Sequence, residues 1–416
     1  MPKWLFALAQ IGQQLWLRVA LYSLTGVVTA LLAAVLAPWV PEDFALNLGT
    51  GAVDQVLGIL ASSMLTVATF SLAVFVSAYT AISNAATPRA AALLVSDGRG
   101  HGALATFVGA FMYAIVGIFA LQTGYYGEQG RVIVFFVTMG VLAAVLVALL
   151  RWIDQLSRLG RVDEAIDRVA KTALAAFQSP LAGRGSSPSE AEAGPSLPAR
   201  AGKIGYVLNI DIDKLQSLAG EMDVTVFIEA LPGAFVHEAQ PVLRYAGRAN
   251  LGGEDIGRLR ACWVIGDRRT FDQDPRFGMV VLGEIAAKAL SPGINDPGTA
   301  LDVVSTAVRL LSHWVRTPAD AAADYSHLRF RALSADDLLQ DVFTPIAQYG
   351  ASNMIVAARL QTAFGALMQL EDPEMTAAAQ GNAQLALKRA MGELTLEEDR
   401  DRVRRVAGSF AGLSGG

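Results

Sequence analysis

The sequence predicts a membrane protein in which four transmembrane α-helices are followed by a cytoplasmic α+β domain with a small β element and a large helical part. The chain has 416 residues, of which 53% are hydrophobic and only 17% charged. Ordinary soluble domains are about 25% charged. Of the 33 basic and 38 acidic side chains, only ten lie in residues 1–150. This first part is about 7% charged and the remainder about 23%, so the composition separates a membrane half from an aqueous half.

The same counts exclude several classes of protein. A chain this apolar cannot be disordered as a whole, because disorder needs low hydrophobicity and high net charge. Cys262 is the only cysteine, which excludes a disulfide scaffold. A net charge of −5 gives no general attraction to nucleic acid. We therefore expect as partners the lipid bilayer, further copies of the chain in a homo-oligomer, and an ion or small-molecule ligand.

Four apolar stretches are long enough to cross the hydrocarbon core, which takes about 20 residues each. They run roughly over residues 19–40, 56–82, 103–121 and 132–150. Each must be helical, because lipid offers backbone groups no partner. We expect a four-helix transmembrane domain over residues 1–155, a juxtamembrane helix and flexible linker over 156–202, and a cytoplasmic α+β domain over 203–416.

The positions of lysine and arginine predict the orientation of the chain in the membrane. The loop of residues 41–55 has neither, whereas the next loop carries Arg89 and Arg99, and several arginines follow the fourth span. Loops rich in Lys and Arg stay on the cytoplasmic side. We expect a multi-pass protein of the bacterial inner membrane with both termini in the cytoplasm.

The second span carries a stripe of small and hydroxyl side chains along its full length. At 100° per residue these side chains fall within an arc of about 100°. Two interpretations stay open. Interfaces between membrane helices favour small residues because the backbones can approach closely, and hydroxyl groups can also line a water-filled path by replacing part of an ion's hydration shell. The candidate pore-lining or helix-packing residues are Ser62, Thr66, Thr69, Ala73, Ser77, Thr80 and Asn84, with Gln55 and Gly58 continuing the stripe.

The aqueous half begins with alternating apolar positions and continues with helical patterns. We expect strands over residues 205–210, 224–228 and 240–245, with 260–266 allowing a fourth and 327–332 a fifth. Asp211 or Asp213 caps a short helix, helices cover 277–290 and 300–316, and residues from Asp336 onward are mostly helical.

One segment of the aqueous half contains a candidate ligand site. Arg268 and Arg269 carry guanidinium groups suited to phosphate or carboxylate. Asn295, Asp296 and Thr299 lie where a helix begins, and a helix N-terminus attracts anions. The structural alternative is that Asp296 caps the helix with Pro297 at its first position.

Nothing in the sequence supports an enzyme. The four histidines are scattered without metal-ligand spacing, and the chain has no phosphate-binding loop, dinucleotide fingerprint or nucleophile elbow. We expect no catalytic residues, no metal and no cofactor.

Five strings in the sequence resemble a known family. They are Ile59-Leu60-Ala61-Ser62-Ser63-Met64, Ala86-Thr87-Pro88-Arg89, Thr123-Gly124-Tyr125-Tyr126, Arg151-Trp152-Ile153-Asp154 and Ala289-Leu290-Ser291-Pro292-Gly293-Ile294-Asn295-Asp296-Pro297. Together they resemble the bacterial predicted membrane protein family catalogued as a domain of unknown function, number 2254. The resemblance implies an integral inner-membrane protein with about four spans and a cytoplasmic C-terminal domain, and it implies no activity.

The sequence leads to two functional hypotheses. The first is an oligomeric channel or passive transporter, in which the polar second helix lines the path and the cytoplasmic domain is regulatory. No span has an ionisable side chain at mid-depth, which disfavours a proton-coupled transporter. The second is a non-conducting membrane-anchored sensor or scaffold, in which the stripe packs against other helices and the cytoplasmic domain binds a ligand or a protein partner.

Overall fold

The chain divides into two compact units. The computed structural model describes residues 15–36, 52–96, 99–123, 127–158, 161–183, 196–247, 251–317 and 325–411. Within these ranges the membrane unit comprises residues 15–82 and 91–161, and the C-terminal unit comprises residues 83–90 and Val162 onward.

The membrane unit is entirely helical in its described part. Its helices are α1 (Leu15–Leu36), α2 (Ala52–Ala85), α3 (Pro88–Ser96), α4 (Arg99–Gln122) and α5 (Gly127–Arg158). Three stretches are long and apolar enough to cross a membrane, namely Val53–Ala85, Gly102–Gln122 and Arg131–Leu156. These correspond to the second, third and fourth predicted spans.

The first predicted span is not confirmed. Helix α1 is present over 22 residues, and the apolar stretch of it whose side chains the structure describes is Val19–Leu32. Residues 37–40, the end of this predicted span, lie outside the described residues. Among the described residues, length and composition therefore support three membrane-crossing helices, and the first span stays a prediction.

Helices α1 and α4 cross at a pair of glycines. A Cβ atom added to Gly26 would lie 2.6 Å from the carbonyl oxygen of Gly109, and one added to Gly109 would lie 2.9 Å from the carbonyl oxygen of Tyr22. Such contacts leave no room for a side chain. Close backbone approach through small residues is a common way for helices to associate in lipid. Lipid is as apolar as the helices, so it provides no hydrophobic driving force for their association.

Helices α4 and α5 are joined by a buried polar contact. The Tyr113 hydroxyl lies 3.0 Å from Thr138 Oγ1, and both side chains are buried. Thr138 Oγ1 also donates to the carbonyl oxygen of Val134 at 2.6 Å. The polar groups of this apolar interface are thus bonded within the protein, as hydrocarbon requires.

In the described part of the C-terminal unit, seven strands form two small sheets. The strands are β1 (Leu197–Arg200), β2 (Gly205–Ile210), β3 (Val224–Ile228), β4 (Phe235–Val236), β5 (Pro241–Gly247), β6 (Trp263–Gly266) and β7 (Leu328–Phe330). One sheet has the order β1-β5-β3-β7 and the other β4-β2-β6. All pairs are antiparallel except β3 with β7. The five predicted strands are present, whereas β1 and β4 were not predicted.

The rest of the C-terminal unit is helical. Its helices are α6 (Val162–Phe177), α7 (Ile212–Glu221), α8 (Gly253–Arg260), α9 (Pro275–Ala289), α10 (Pro297–Arg316), α11 (Ala335–Tyr349), α12 (Met354–Met368), α13 (Pro373–Glu393) and α14 (Glu397–Ala411). Asp211 caps α7, and Asp296 caps α10 with Pro297 at its first position. Both predicted caps are confirmed.

Helix α6 packs within the C-terminal unit, in a range where the sequence predicts a juxtamembrane helix and a linker. The sequence predicted a juxtamembrane helix and linker there, outside the folded C-terminal domain. Instead α6 packs on α9 and α10, and a Cβ added to Gly278 of α9 would lie 2.4 Å from Ala173 Cβ. Ala165, Val169 and Phe177 are buried in the same way. The apolar stripe of α6 is therefore part of the core of the C-terminal unit.

The helix crossing at Gly26 generates a stability prediction. Gly26→Ala should lower the apparent melting temperature in detergent, because overpacking a tight contact costs about 1–3 kcal/mol. Gly140→Ala is the matched control, since a Cβ at Gly140 of α5 meets nothing within 4 Å. This control should be neutral or slightly stabilising, because alanine favours helix more than glycine does. Equal melting temperatures for the two variants would contradict the close crossing.

Candidate functional site

The polar stripe lies on the exposed side of helix α2. Every one of its residues is exposed: Gln55, Gly58, Ser62, Thr66, Thr69, Ala73, Ser77, Thr80 and Asn84. The buried residues of the same helix, among them Leu57, Leu60, Met64 and Ile82, centre about 180° away around the helix axis. Within one chain, the described residues therefore leave the stripe uncovered.

The hydroxyl groups of the stripe mostly donate to their own helix. Thr66 Oγ1 donates to the carbonyl oxygen of Ser62 at 2.9 Å, and Thr69 and Thr80 make the equivalent bond at 2.8 and 2.9 Å. Ser62 donates to the carbonyl oxygen of Gly58 at 3.0 Å. Each oxygen keeps lone pairs that can still accept a hydrogen bond. The stripe therefore presents a row of uncharged acceptor oxygens.

Large apolar side chains border this row on the same exposed side of α2. Phe70 is 64% exposed, Ile59 58% and Val76 55%. Leu65, Leu72 and Tyr79 are also exposed. The outer face of α2 is therefore mixed, with a polar centre and apolar edges. The apolar edges suit contact with lipid or with another helix, whereas the polar centre requires neither contact.

The C-terminal end of α2 is held by helix α9. Lys288 Nζ donates to the carbonyl oxygen of Ser83 at 2.8 Å, and Arg89 forms an ion pair with Glu284. Ala86 and Ala90 are completely buried. Residues 83–90, which comprise the end of α2, the two linking residues and the start of α3, thus form a segment docked on α9.

A local cap fixes the shape of this docked segment. Thr87 Oγ1 accepts a hydrogen bond from the backbone amide of Ala90 at 3.1 Å, and Pro88 begins α3. Proline suits the first position of a helix, where its missing N–H would have no partner. The Ala86-Thr87-Pro88-Arg89 string therefore ends one helix, starts the next and places Arg89 at Glu284.

The sequence did not identify Glu284 and Lys288 as functional candidates. They stand four residues apart on α9, a spacing that predicts an ion pair within the helix. In the structure each reaches residues 83–90 instead. The one available signal in the sequence is that, with Arg276, they are the charged residues of an otherwise apolar helix.

Arg269, one of the five residues predicted to bind a ligand, is bonded to Asp274. Its guanidinium bonds Asp274 Oδ2 at 2.8 Å through Nε and lies 4.9 Å from the centre of the Phe277 ring. Asp274 is buried and caps α9. Burial raises the pKa of the Asp274 carboxyl, and the charge of Arg269 opposes that rise. Arg268, the neighbouring residue, is exposed.

The other three candidates lie beyond the opposite end of α9. Asp296 Oδ2 accepts a hydrogen bond from Thr299 Oγ1 at 2.6 Å, and Oδ1 accepts one from the Thr299 amide at 3.2 Å. These bonds, led by the Thr299 hydroxyl, lower the pKa of Asp296. Asn295 adopts a left-handed backbone conformation with φ of 50°.

The structure therefore separates the five candidates into two groups. Helix α9 has 15 residues and a length of about 22 Å, with the arginines before its first residue and Asn295 after its last. The single converging site expected from the sequence is not formed. Among the described residues, no three His, Cys, Asp or Glu side chains are placed to hold a metal ion.

Comparison with known proteins adds the family context. The model of a family described as "Predicted membrane protein (DUF2254)" matches residues 12–366. Uncharacterized proteins of Mycobacterium bovis and Mycobacterium tuberculosis are each 27% identical to the chain over 316 residues, covering 71% of this chain and 60% of the relative. The chain thus spans about three fifths of the length of these curated relatives. No solved structure matches the chain significantly.

The cap at Asp296 generates a pH prediction. Asp296→Ala should lower the free energy of unfolding at pH 7 by about 1 kcal/mol, the usual value of an N-cap. Because the folded-state pKa of Asp296 is depressed, this contribution is present above about pH 4 and is lost as the pH falls through the folded-state value. Denaturant unfolding in detergent at pH 7 and at pH 3 measures the difference.

The control for this prediction is Asp302→Ala, which removes an exposed carboxylate from the same helix. Asp302→Ala should change stability little at either pH. A wild-type to Asp296→Ala difference that stays the same at both pH values would contradict the role of the carboxylate.

Proposed function

The chain belongs to the family of predicted membrane proteins called domain of unknown function 2254, and on that premise we propose that it forms a homo-oligomeric channel or passive transporter. We place it in the bacterial inner membrane with both termini in the cytoplasm. In this proposal the stripe on α2 lines the path, and the C-terminal unit regulates it without catalysing a reaction.

The observation that carries the proposal is the exposed, uncharged stripe on α2. Closed symmetric oligomers bring the same surface of every subunit around one axis. A stripe that one chain leaves uncovered would then become a ring of hydroxyl oxygens repeated at each turn of the helix. The apolar residues at its edges, such as Phe70 and Val76, would contact neighbouring subunits or lipid.

The chemistry of the stripe defines what could pass. Hydroxyl oxygens can substitute for water around an ion without binding it as strongly as a charged ring. Threonine methyl groups also suit a small neutral solute. The stripe residues include no acidic, basic or histidine side chain, which favours passive movement over proton coupling.

One observation favours the second candidate, a non-conducting sensor or scaffold. The hydroxyl protons of Thr66, Thr69 and Thr80 are already bonded to carbonyl oxygens of α2. Such groups tolerate contact with lipid or with another helix, because their donors need no water. A flux measurement separates the two candidates, since a packed stripe conducts nothing.

The contacts of residues 83–90 supply a route for regulation. Helix α2 is continuous to Ala85, so its last residues, Asn84 among them, belong to the C-terminal unit, while the stripe as far as Thr80 belongs to the membrane unit. A change in the C-terminal unit that moved Glu284 and Lys288 would act on the end of α2. Helices transmit such displacements because they behave as rigid elements.

Leucine substitutions in the stripe test the path. In purified protein reconstituted into liposomes, Thr69→Leu and Ser77→Leu should each reduce potassium flux or glycerol permeation at least about fivefold, because a larger apolar side chain narrows and dehydrates the path. Ser63→Leu is the matched control, since Ser63 is exposed on the same helix about 85° from the centre of the stripe.

Ser63→Leu should leave flux unchanged. Wild-type protein that carries neither potassium nor glycerol, or a Ser63→Leu effect as large as that of Ser77→Leu, would count against a path along the stripe.

Charge reversal tests the regulatory route. Arg89→Glu opposes Glu284 and should change the wild-type flux about fivefold, the shift expected when a half-exposed ion pair of about 1 kcal/mol biases a two-state equilibrium. Adding Glu284→Arg should restore the wild-type flux, because the pair is re-formed with its charges exchanged.

Arg258→Glu serves as the control, since Arg258 pairs with Glu221 elsewhere in the C-terminal unit. If the double variant shows the sum of two independent defects, residues 83–90 do not transmit the state of α9.

A further inference from the structure

We propose that the C-terminal unit binds a small anionic ligand of the phosphate class in a cavity formed by the residues before β2, the end of α8 and strand β6. This site is distinct from the ligand residues suggested by the sequence. It also does not depend on whether the stripe on α2 conducts.

The cavity is bounded by three separate parts of the chain. Its volume is about 310 Å³, and the residues that line it include Ala201, Lys203, Gly257, Arg260, Trp263 and Ile265. This volume is at the lower end of the range for small-molecule sites. Among the described residues that line the cavity, Lys203 and Arg260 carry the charges and none is a carboxylate. Two cations without an acid are notable in a chain whose net charge is −5.

A glycine brings the two cations together. Gly202 has φ of +66°, and a Cβ atom added there would lie 3.0 Å from Arg260 Nη1. The guanidinium therefore rests on the Gly202 backbone, directly beside Lys203 in sequence. The amides of Ala201 and Gly202 donate to the carbonyl oxygens of Gln240 and Glu238 at 2.9 and 3.1 Å. These bonds fix the turn that carries Lys203.

The two cations differ from a neighbouring arginine in their ion pairing. Arg258, two residues earlier on α8, pairs with Glu221 at 3.1 Å and with Asp255 at 3.9 Å. Neither Arg260 nor Lys203 forms an ion pair with a described residue. Neighbouring positive charges repel each other, so an anion between them is favourable. A guanidinium presents paired N–H donors that match the geometry of phosphate.

The helix dipole is a second explanation for one of these residues. A cation in the last turn of a helix interacts favourably with the C-terminal carbonyl groups, and Arg260 ends α8. That explanation covers neither Lys203, which precedes β2, nor the absence of an acid from the cavity wall.

Strand β6 forms part of the cavity wall through Trp263, Val264 and Ile265. It lies at the edge of the β4-β2-β6 sheet, and in an edge strand alternate backbone groups point away from the sheet. Trp263 forms part of the wall, and its indole is fixed by a hydrogen bond from Nε1 to the carbonyl oxygen of Ala230 at 3.1 Å. Backbone amides of such a strand can add neutral donors to the two cations, a combination that suits an oxyanion.

Titration calorimetry of the full-length protein in detergent tests the site, with inorganic phosphate and pyrophosphate as probes at constant ionic strength. We expect saturable binding, with pyrophosphate the tighter of the two because it carries more negative charge. Arg260→Gln and Lys203→Gln should each weaken binding at least tenfold. Arg258→Gln is the matched control, because it removes an equivalent charge from the same helix outside the cavity, and it should leave the affinity unchanged.

Thermal unfolding of each variant confirms that the fold is retained, because all three substitutions are at exposed positions. Absence of saturable binding to both probes in the wild-type protein would overturn the proposal. An equal loss of affinity in all three variants would overturn it as well, since that result indicates attraction to general surface charge.

Discussion

A polar group inside hydrocarbon is most stable with a partner within the protein, and most described hydroxyl groups of the membrane unit follow this constraint, with the buried Ser71 Oγ as an exception. The buried Tyr113 hydroxyl meets Thr138 across two helices, and the exposed threonines of α2 bond back to their own helix. Charges are kept near the ends of the spans. The polar surface that α2 exposes is therefore a row of uncharged oxygens. It lies on the side of α2 that no described residue covers.

Helix α9 lies at the centre of the C-terminal unit, where it packs on α6, α10 and α11. Its N-terminus is capped by Asp274, which Arg269 holds in turn. Its small residues allow close contact on two sides, since Gly278 abuts α6 and a Cβ on Gly283 would lie 2.7 Å from the carbonyl oxygen of Asp341 on α11. Of its charged residues, Arg276 pairs with Asp337 and Asp341 of α11, and Glu284 and Lys288 contact residues 83–90. Helix α9 therefore forms part of the core of the unit and also holds residues 83–90.

Local patterns predicted most of the helices and strands correctly. The caps at Asp211 and Asp296 act over three residues, so the sequence around them contains all the information they need. Strand β1 was missed because it borders a segment rich in Ser, Pro and Gly, and its strand conformation depends on pairing with β5. The predicted ligand-binding role of Arg269 does not account for its ion pair with Asp274, because no local pattern over those five residues predicts that contact.

The sequence by itself determined the division into a membrane half and an aqueous half, and it determined which face of α2 is polar. Both follow from hydropathy and helical periodicity, which depend on neighbours within a few turns. Only the tertiary structure decided that this face is uncovered, and that Ser83 and Arg89 meet Lys288 and Glu284 about 200 positions further along the chain. Contacts of that separation depend on how the whole C-terminal unit packs, and no local pattern encodes them.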